Sequence, residues 1–144
     1  MSQVVAIAGA TGAVGTEFIK LLEQRNYPLQ KLKLLASARS VGKQLHFREQ
    51  TLMVEELRPE AFQDVDVAFF SAGGDRSKEF APAAVEAGAL VIDNSSAFRM
   101  DDGVPLVVPE INAEATRRHR GCLLYTSDAA DEGLGVDLGG RRII

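Results

Sequence analysis

Gly9, Gly12 and Gly15 stand three residues apart in Gly9-Ala10-Thr11-Gly12-Ala13-Val14-Gly15, directly after the apolar run Val4-Val5-Ala6-Ile7-Ala8. These residue types at this spacing suit the capture of a pyrophosphate. Gly9 permits a tight turn out of a strand, Gly12 has no side chain to hold an anion off the backbone, and Gly15 lets a helix pack close to a sheet. Free N–H groups at the helix start then face the anion, with the helix dipole in their favour. The candidate contacts are Gly9, Thr11, Gly12, Ala13, Val14 and Gly15. The spacing is G-x-x-G-x-x-G rather than G-x-G-x-x-G, and its position after a continuous apolar strand is what makes it informative. The competing reading is a glycine-rich turn that serves packing alone.

A second strand, expected over residues 32–36, ends about 20 residues after the glycine loop, where an NAD-selective fold places Asp or Glu on the ribose 2′-hydroxyl. The residues here are Leu35-Ala36-Ser37-Ala38-Arg39-Ser40, with no acid. Ser37, Arg39 and Ser40 offer a guanidinium fork and neutral donors, which a 2′-phosphate requires. NADP is therefore favoured over NAD. Two further loops follow apolar runs. Ser71, Ala72, Gly73 and Gly74 are small enough for a flat nicotinamide and its ribose to lie against the backbone; the same residues also suit a plain strand-to-helix turn. Asp93-Asn94-Ser95-Ser96-Ala97-Phe98-Arg99 offers Asn94 and Arg99 to a phosphate or substrate oxyanion; an Asx-turn with a surface arginine explains it as well.

The elements that must position these loops alternate in type. Residues 4–8, 32–36, 65–70, 90–93 and 106–108 read as strands. Residues 13–24 read as a helix with Val14, Phe18, Leu21 and Leu22 on one apolar stripe. Residues 78–87 read as a second helix, stopped by Gly88. Strand, helix, strand at this spacing predicts an α/β fold of Rossmann type: an open, mostly parallel sheet with helices on both faces. Residues 44–57 interrupt the alternation, with Leu45, Phe47, Leu52 and Val54 at period two, and read as a small antiparallel insert. After Gly121 the composition shifts. Residues 122–144 hold four glycines and four acids without an extended apolar period. The expected division is a cofactor domain over 1–121 and a separate tail over 122–144 that adds little to the core.

Composition bounds the function. The chain has 144 residues, 46% hydrophobic and 25% charged, the balance of one ordinary globular domain. A net charge of −4 and a pI near 5.2 argue against nucleic acid or an anionic membrane as main partner. No apolar run approaches the roughly 18 residues of a membrane span, and no signal-peptide core precedes the first strand, so the expected location is cytoplasmic. One cysteine excludes an internal disulfide framework and a multi-thiolate metal site. His46 and His119 form no metal-binding pair, and no metal is expected.

Together the segments resemble the N-terminal half of aspartate-semialdehyde dehydrogenases. The resemblance rests on residues 5–15, on Ala36-Ser37-Ala38-Arg39-Ser40-Val41-Gly42-Lys43, on Ser71-Ala72-Gly73-Gly74, on residues 93–100, and on Val108-Pro109-Glu110-Ile111-Asn112. These occur in the family's order and cover about residues 3–121. The resemblance implies an oxidoreductase that uses NADPH to convert aspartyl phosphate to aspartate semialdehyde and phosphate, on the route to lysine, methionine and threonine. It implies NADP on the glycine loop and on Ser37, Arg39 and Ser40, with Ser71–Gly74 near the nicotinamide and Arg99 on the phosphate or substrate anion. It also implies a cysteine nucleophile, a second domain bearing the acid/base histidine, and a homo-oligomer.

The resemblance stops after Gly121. The family continues with a short strand and Asn-Pro-Asn-Cys, the cysteine some seven residues past the glycine. Here Cys122 follows Gly121 at once, position 128 is Asp, and no Asn-Pro-Asn occurs. Residues 124–132 resemble translated adapter sequence. Cys122 is thus out of register, and no catalytic residue is assigned. The expectation is a cofactor-binding piece of a dehydrogenase that does not turn over. The alternatives are a stand-alone NADP-binding sensor module and a relative of the N-acetyl-glutamyl-phosphate reductases.

Overall fold

The computed structural model describes residues 3–94, 106–107 and 122–125. The apolar run at the N-terminus forms β1 (Gln3–Ala8), in which Val5, Ala6, Ile7 and Ala8 are fully buried. A strand covered on both faces needs such a continuous run. There follow α1 (Ala13–Gln24), β2 (Leu29–Ala36), β3 (Gln44–Phe47), β4 (Gln50–Met53), β5 (Glu55–Glu56), β6 (Val67–Phe70), α2 (Gly74–Glu86), β7 (Leu90–Asp93), β8 (Leu106–Val107) and β9 (Cys122–Tyr125). The main sheet has seven strands in the order β5-β2-β1-β6-β7-β9-β8, and its pairings are parallel. The chain builds outward from β1 through β2 to β5, then crosses to β6 on the other side. That reversal opens a crevice beyond the carboxyl end of β1, where open α/β sheets bind ligands.

The two faces of the sheet bury separate cores. Val5 and Ile7 face α1 and pack with Ile19, Leu22, Phe47 and Val54. Ala6 and Ala8 face α2 and pack with Phe62, Phe70, Phe80 and Ala84. Phe62 and Phe70 stack with centroids 5.6 Å apart; each fully buried ring of this kind stabilises the fold by about 1.5–3 kcal/mol. The buried side of α1 differs from the sequence-based stripe. The helix buries Gly15, Ile19 and Leu22, while Val14 and Leu21 remain 41% and 43% exposed. Gly15 is the cause: lacking a side chain it brings the helix closest to the sheet, and positions four and seven residues on then point inward.

Both helices end as the sequence pattern requires. Gly88 adopts φ +99°, and Gly88 and Ala89 donate to the carbonyls of Val85 and Ala84, a Schellman closure. Asn26, at φ 50°, does the same for α1, with Asn26 and Tyr27 donating to Glu23 and Leu22. The start of α2 lies four residues before the expected one. Gly73 turns the chain at φ +95°, and α2 begins at Gly74 and accommodates Pro82.

The insert is part antiparallel, part not. β3 and β4 form the expected hairpin, closed by Arg48 and Glu49 at φ 50° and 65°, the left-handed pair of a two-residue turn. β5 instead joins the main sheet beside β2. Arg48 ties the hairpin to α1: its Nη2 donates to the carbonyl oxygens of Leu22, at 3.3 Å, and Tyr27, at the negative end of the helix dipole. Its guanidinium also lies 4.8 Å from the Phe47 ring centroid.

The sheet runs past the boundary expected at residue 121. Cys122–Tyr125 forms β9, inserted between β7 and β8, with Val91, Ile92 and Asp93 level with Cys122, Leu123 and Leu124. A four-residue apolar run is too short to show a period in sequence, yet it suffices for an interior strand once β7 offers an edge. The expected strand at 106–108 is β8, described over its first two residues. A chain ending at Gly121 therefore loses an interior strand, and one ending at Tyr125 keeps it. Thermal melting should place the Gly121 form lower by at least about 5 °C. Equal midpoints would show that β9 adds nothing to the fold.

Candidate functional site

The β1–α1 connection is built on two close backbone approaches. Gly9 leaves β1 at φ +93°, and its N–H and that of Ala10 both donate to the Leu35 carbonyl oxygen, at 2.8 and 3.1 Å. A Cβ on Gly9 would sit 2.9 Å from the carbonyl atoms of Ser71. A Cβ on Gly15 would lie 2.1 Å from the Gly9 carbonyl oxygen and 2.8 Å from the Ala10 Cα. Neither distance admits a side chain, so packing accounts for these two glycines.

Gly12 is different. It has φ −83° and ψ 175°, extended backbone open to any residue. A Cβ there would meet only the Gly9 oxygen, at 3.5 Å, an ordinary contact. Nothing in the chain's own packing requires glycine at position 12. Gly12 is the N-cap of α1, and no side chain caps the helix. Among the described residues, no protein acceptor is recorded for the amides of Ala13, Val14 and Gly15. Thr16 turns its hydroxyl back to the Gly12 and Ala13 carbonyls, at 3.0 and 2.9 Å, so it does not compete for those amides. The first turn of α1 thus presents free donors beside a backbone stripped of side chain.

A cleft of about 230 Å³ opens here across the carboxyl ends of β2, β1 and β6. It brings together Gly9, Thr11 and Gly12 of the loop, Ser37 and Arg39 after β2, and Ser71 and Ala72 after β6. Ser71 is held to β1 by its N–H and its hydroxyl, both donating to the Ala8 carbonyl oxygen, at 2.9 and 3.3 Å. Ser40 is not brought in: it is buried in the 3-10 turn after β2, and its carbonyl accepts from Lys43 N–H at 3.1 Å. Gly73 and Gly74 shape the entrance to α2 rather than line the cleft, and Ala13, Val14 and Gly15 stand in the first turn of α1, outside its lining residues. Asn94 continues β7, its N–H donating to the Phe70 carbonyl oxygen at 2.9 Å. Arg99, His119 and residues 108–121 lie outside the described residues.

Arg76, which the sequence reading did not single out, also lines the cleft. It is the third residue of α2, and its signal was hidden because the helix had been expected to begin at residue 78. The residues described along the cleft include two arginines and no carboxylate, although the chain holds 20 acids against 16 lysines and arginines. Glu55 and Glu56 pair with Leu35 and Ala36 on β2, yet neither lines the cleft. A larger groove of about 380 Å³ lies between the first half of β2 and the hairpin, along Leu29, Leu32, Phe47, Leu52 and Met53, and holds none of the motif residues. Asp93, fully buried at the end of β7, accepts from the Ser77 hydroxyl at 3.1 Å, which ties α2 to the strand beside it. The register of β9 places Cys122 level with Val91, two residues short of the sheet's carboxyl edge at Asp93. At about 3.3 Å per residue, that is some 6–7 Å below the edge where the cleft opens.

Comparison with known proteins agrees with this geometry. Residues 4–119 match the family described as semialdehyde dehydrogenase, NAD binding domain. Aspartate-semialdehyde dehydrogenase of Bacillus subtilis is 52% identical over 119 residues, which are 83% of this chain and 34% of the relative. The crystal structure of aspartate semialdehyde dehydrogenase II from Vibrio cholerae complexed with ASA superposes at a TM-score of 0.87 with 43% identity, covering 93% of this chain and 40% of that one. That of the Candida albicans enzyme with NADP superposes at 0.72 with 29% identity, covering 94% and 45%. The chain thus spans about a third of the length of the curated relatives it matches. The match over residues 4–119 covers most of the chain, which belongs to the semialdehyde dehydrogenase family through its NAD binding domain.

Proposed function

We propose that this chain is the NADP-binding domain of an aspartate-semialdehyde dehydrogenase, and that it selects NADP over NAD through Arg39 and Ser37. The observation that carries the reading is Gly12, a glycine that the chain's own packing and backbone do not need, set at an uncapped helix start inside a cationic cleft. A pyrophosphate at that place takes the free amides of the first turn, and the missing side chain lets it approach them. Arg39 then stands where an NAD-selective domain would carry an acid, at the end of β2. A guanidinium there favours a phosphate monoester over a hydroxyl. The NADP bound by the Candida albicans relative supports the same choice.

The nicotinamide cofactor supplies the hydride that interconverts an acyl group and an aldehyde. This chain's share is to bind and orient it: the α1 amides hold the pyrophosphate, Ser37 and Arg39 fix the adenosine end, and Ser71 and Ala72 leave a flat wall along the other. The substrate pair is aspartyl phosphate and aspartate semialdehyde, and the setting is amino-acid biosynthesis in the cytoplasm. Ser40, first grouped with Arg39, acts from behind: buried, it holds the 3-10 turn on which Arg39 sits. Cys122 is the first residue of β9. The register of β9 sets Cys122 two residues short of the sheet's carboxyl edge, whereas a nucleophile must come within about 3–3.5 Å of the reacting carbon at the cleft.

Three measurements test the proposal. Gly12→Ala should fold with a stability within about 1 kcal/mol of the parent yet bind NADP roughly tenfold more weakly, since overpacking a close contact costs about 1–3 kcal/mol. Gly15→Ala should fail to fold stably; a Gly12→Ala chain that binds normally would leave the loop a packing device. Arg39→Ala should weaken NADPH by roughly 10- to 100-fold, the worth of a charge-assisted hydrogen bond, and barely alter NADH. Equal losses for both would remove the 2′-phosphate role. Finally, the full chain given aspartate semialdehyde, NADP and phosphate should form no more NADPH than its Cys122→Ala variant. Turnover abolished by that substitution would make Cys122 the nucleophile.

A further inference from the structure

We infer that Arg76 is the second arm of a two-arginine clamp on the cofactor's 2′-phosphate, and so a determinant of NADP over NAD in its own right. The inference rests on the NADP reading above and names a residue that reading does not use. Arg39 follows β2 and Arg76 opens α2 after β6, 37 positions later in the chain; both line one cleft. β2 and β6 flank β1, so they stand about 10 Å apart. Two arginine side chains reaching inward across such a gap close on one phosphate, with N–H···O contacts of about 2.8 Å from each side.

Charge decides what the pair is for. A phosphate monoester carries about −1.5 to −2 charges near neutral pH, which a single guanidinium does not balance. Arg39 and Arg76 do so together. Neither is spent elsewhere: both are exposed, and no ion pair is recorded for either among the described residues. The pyrophosphate has its own donors at the start of α1. With Arg76 at α2's third position, its charge is also poorly placed for helix stability, since cations at a helix start oppose the dipole. An arginine there is better explained by an anion it meets across the cleft.

The test measures dissociation constants of the full chain for NADP, NAD, 2′,5′-ADP and 5′-AMP, with Arg39→Ala, Arg76→Ala, Arg76→Lys and the double alanine variant. Arg76→Ala should raise the constants for NADP and 2′,5′-ADP about tenfold and change those for NAD and 5′-AMP by less than about twofold. Arg76→Lys should recover part of the loss, because it keeps the charge without the fork, and the double variant should be weaker than either single one. If Arg76→Ala weakens NADP and NAD alike, Arg76 touches a part that both share and the clamp is wrong. If Arg39→Ala removes the NADP preference while Arg76→Ala leaves it intact, the clamp fails and the NADP reading stands. If the unsubstituted chain binds NAD as tightly as NADP, both fail together.

Discussion

A carbon atom on Gly15 would sit 2.1 Å from the Gly9 carbonyl oxygen, and the molecule is arranged around the contact that this absence allows. Because the first helix touches the first turn backbone to backbone, α1 lies close against the sheet. Its buried positions are then fixed at Ile19 and Leu22, and its amino end is aimed across the carboxyl edge of β1. Gly9, pressed on Ser71 from the other side, locks the loop after β6 to the same point. One tight backbone junction thus sets the helix angle, the separation of two loops and the direction of the free amides. A methyl group at either glycine disturbs all three at once.

The cleft above this junction inverts the charge of the protein. A chain with net charge −4 places two arginines, two serines and a helix start along one crevice, with no acid among its described lining residues. The local field, not the overall charge, governs which ligand enters, because at 0.1 M salt charges more than about 10 Å away are largely screened.

The far side of the sheet shows how little sequence a strand needs when an edge is waiting. β7 pairs on one side with β6 and on the other with β9, so its backbone donors and acceptors are satisfied on both sides. β9 in turn shields β7 from becoming an exposed edge. The hairpin obeys a similar economy. Arg48 joins it to the carboxyl end of α1 through the carbonyl oxygens of Leu22 and Tyr27, at a turn built from two left-handed residues without glycine.

Much of this protein was legible in its residues because local rules fixed it. β1, α1 and β7 fall within one residue of where periodicity and glycine put them, and Gly88 ends α2 through a conformation that glycine adopts freely. The glycine triplet marked the turn from β1 into α1, and the run after β2 pointed to Arg39, which lines the cleft. What sequence could not assign was anything that depends on two distant segments meeting. Which of the three glycines packing requires was decided by Ser71 and the Gly9 oxygen. The burial of Ser40 and the inward turn of Ile19 were decided by how the helix and the 3-10 turn sit on the sheet. The meeting of Arg76 and Arg39 along one cleft, and the place of Cys122–Tyr125 between β7 and β8, came from topology. Spacing along a chain encodes contacts a few residues apart; contacts between elements arise only when the hydrophobic faces of the sheet choose their covers.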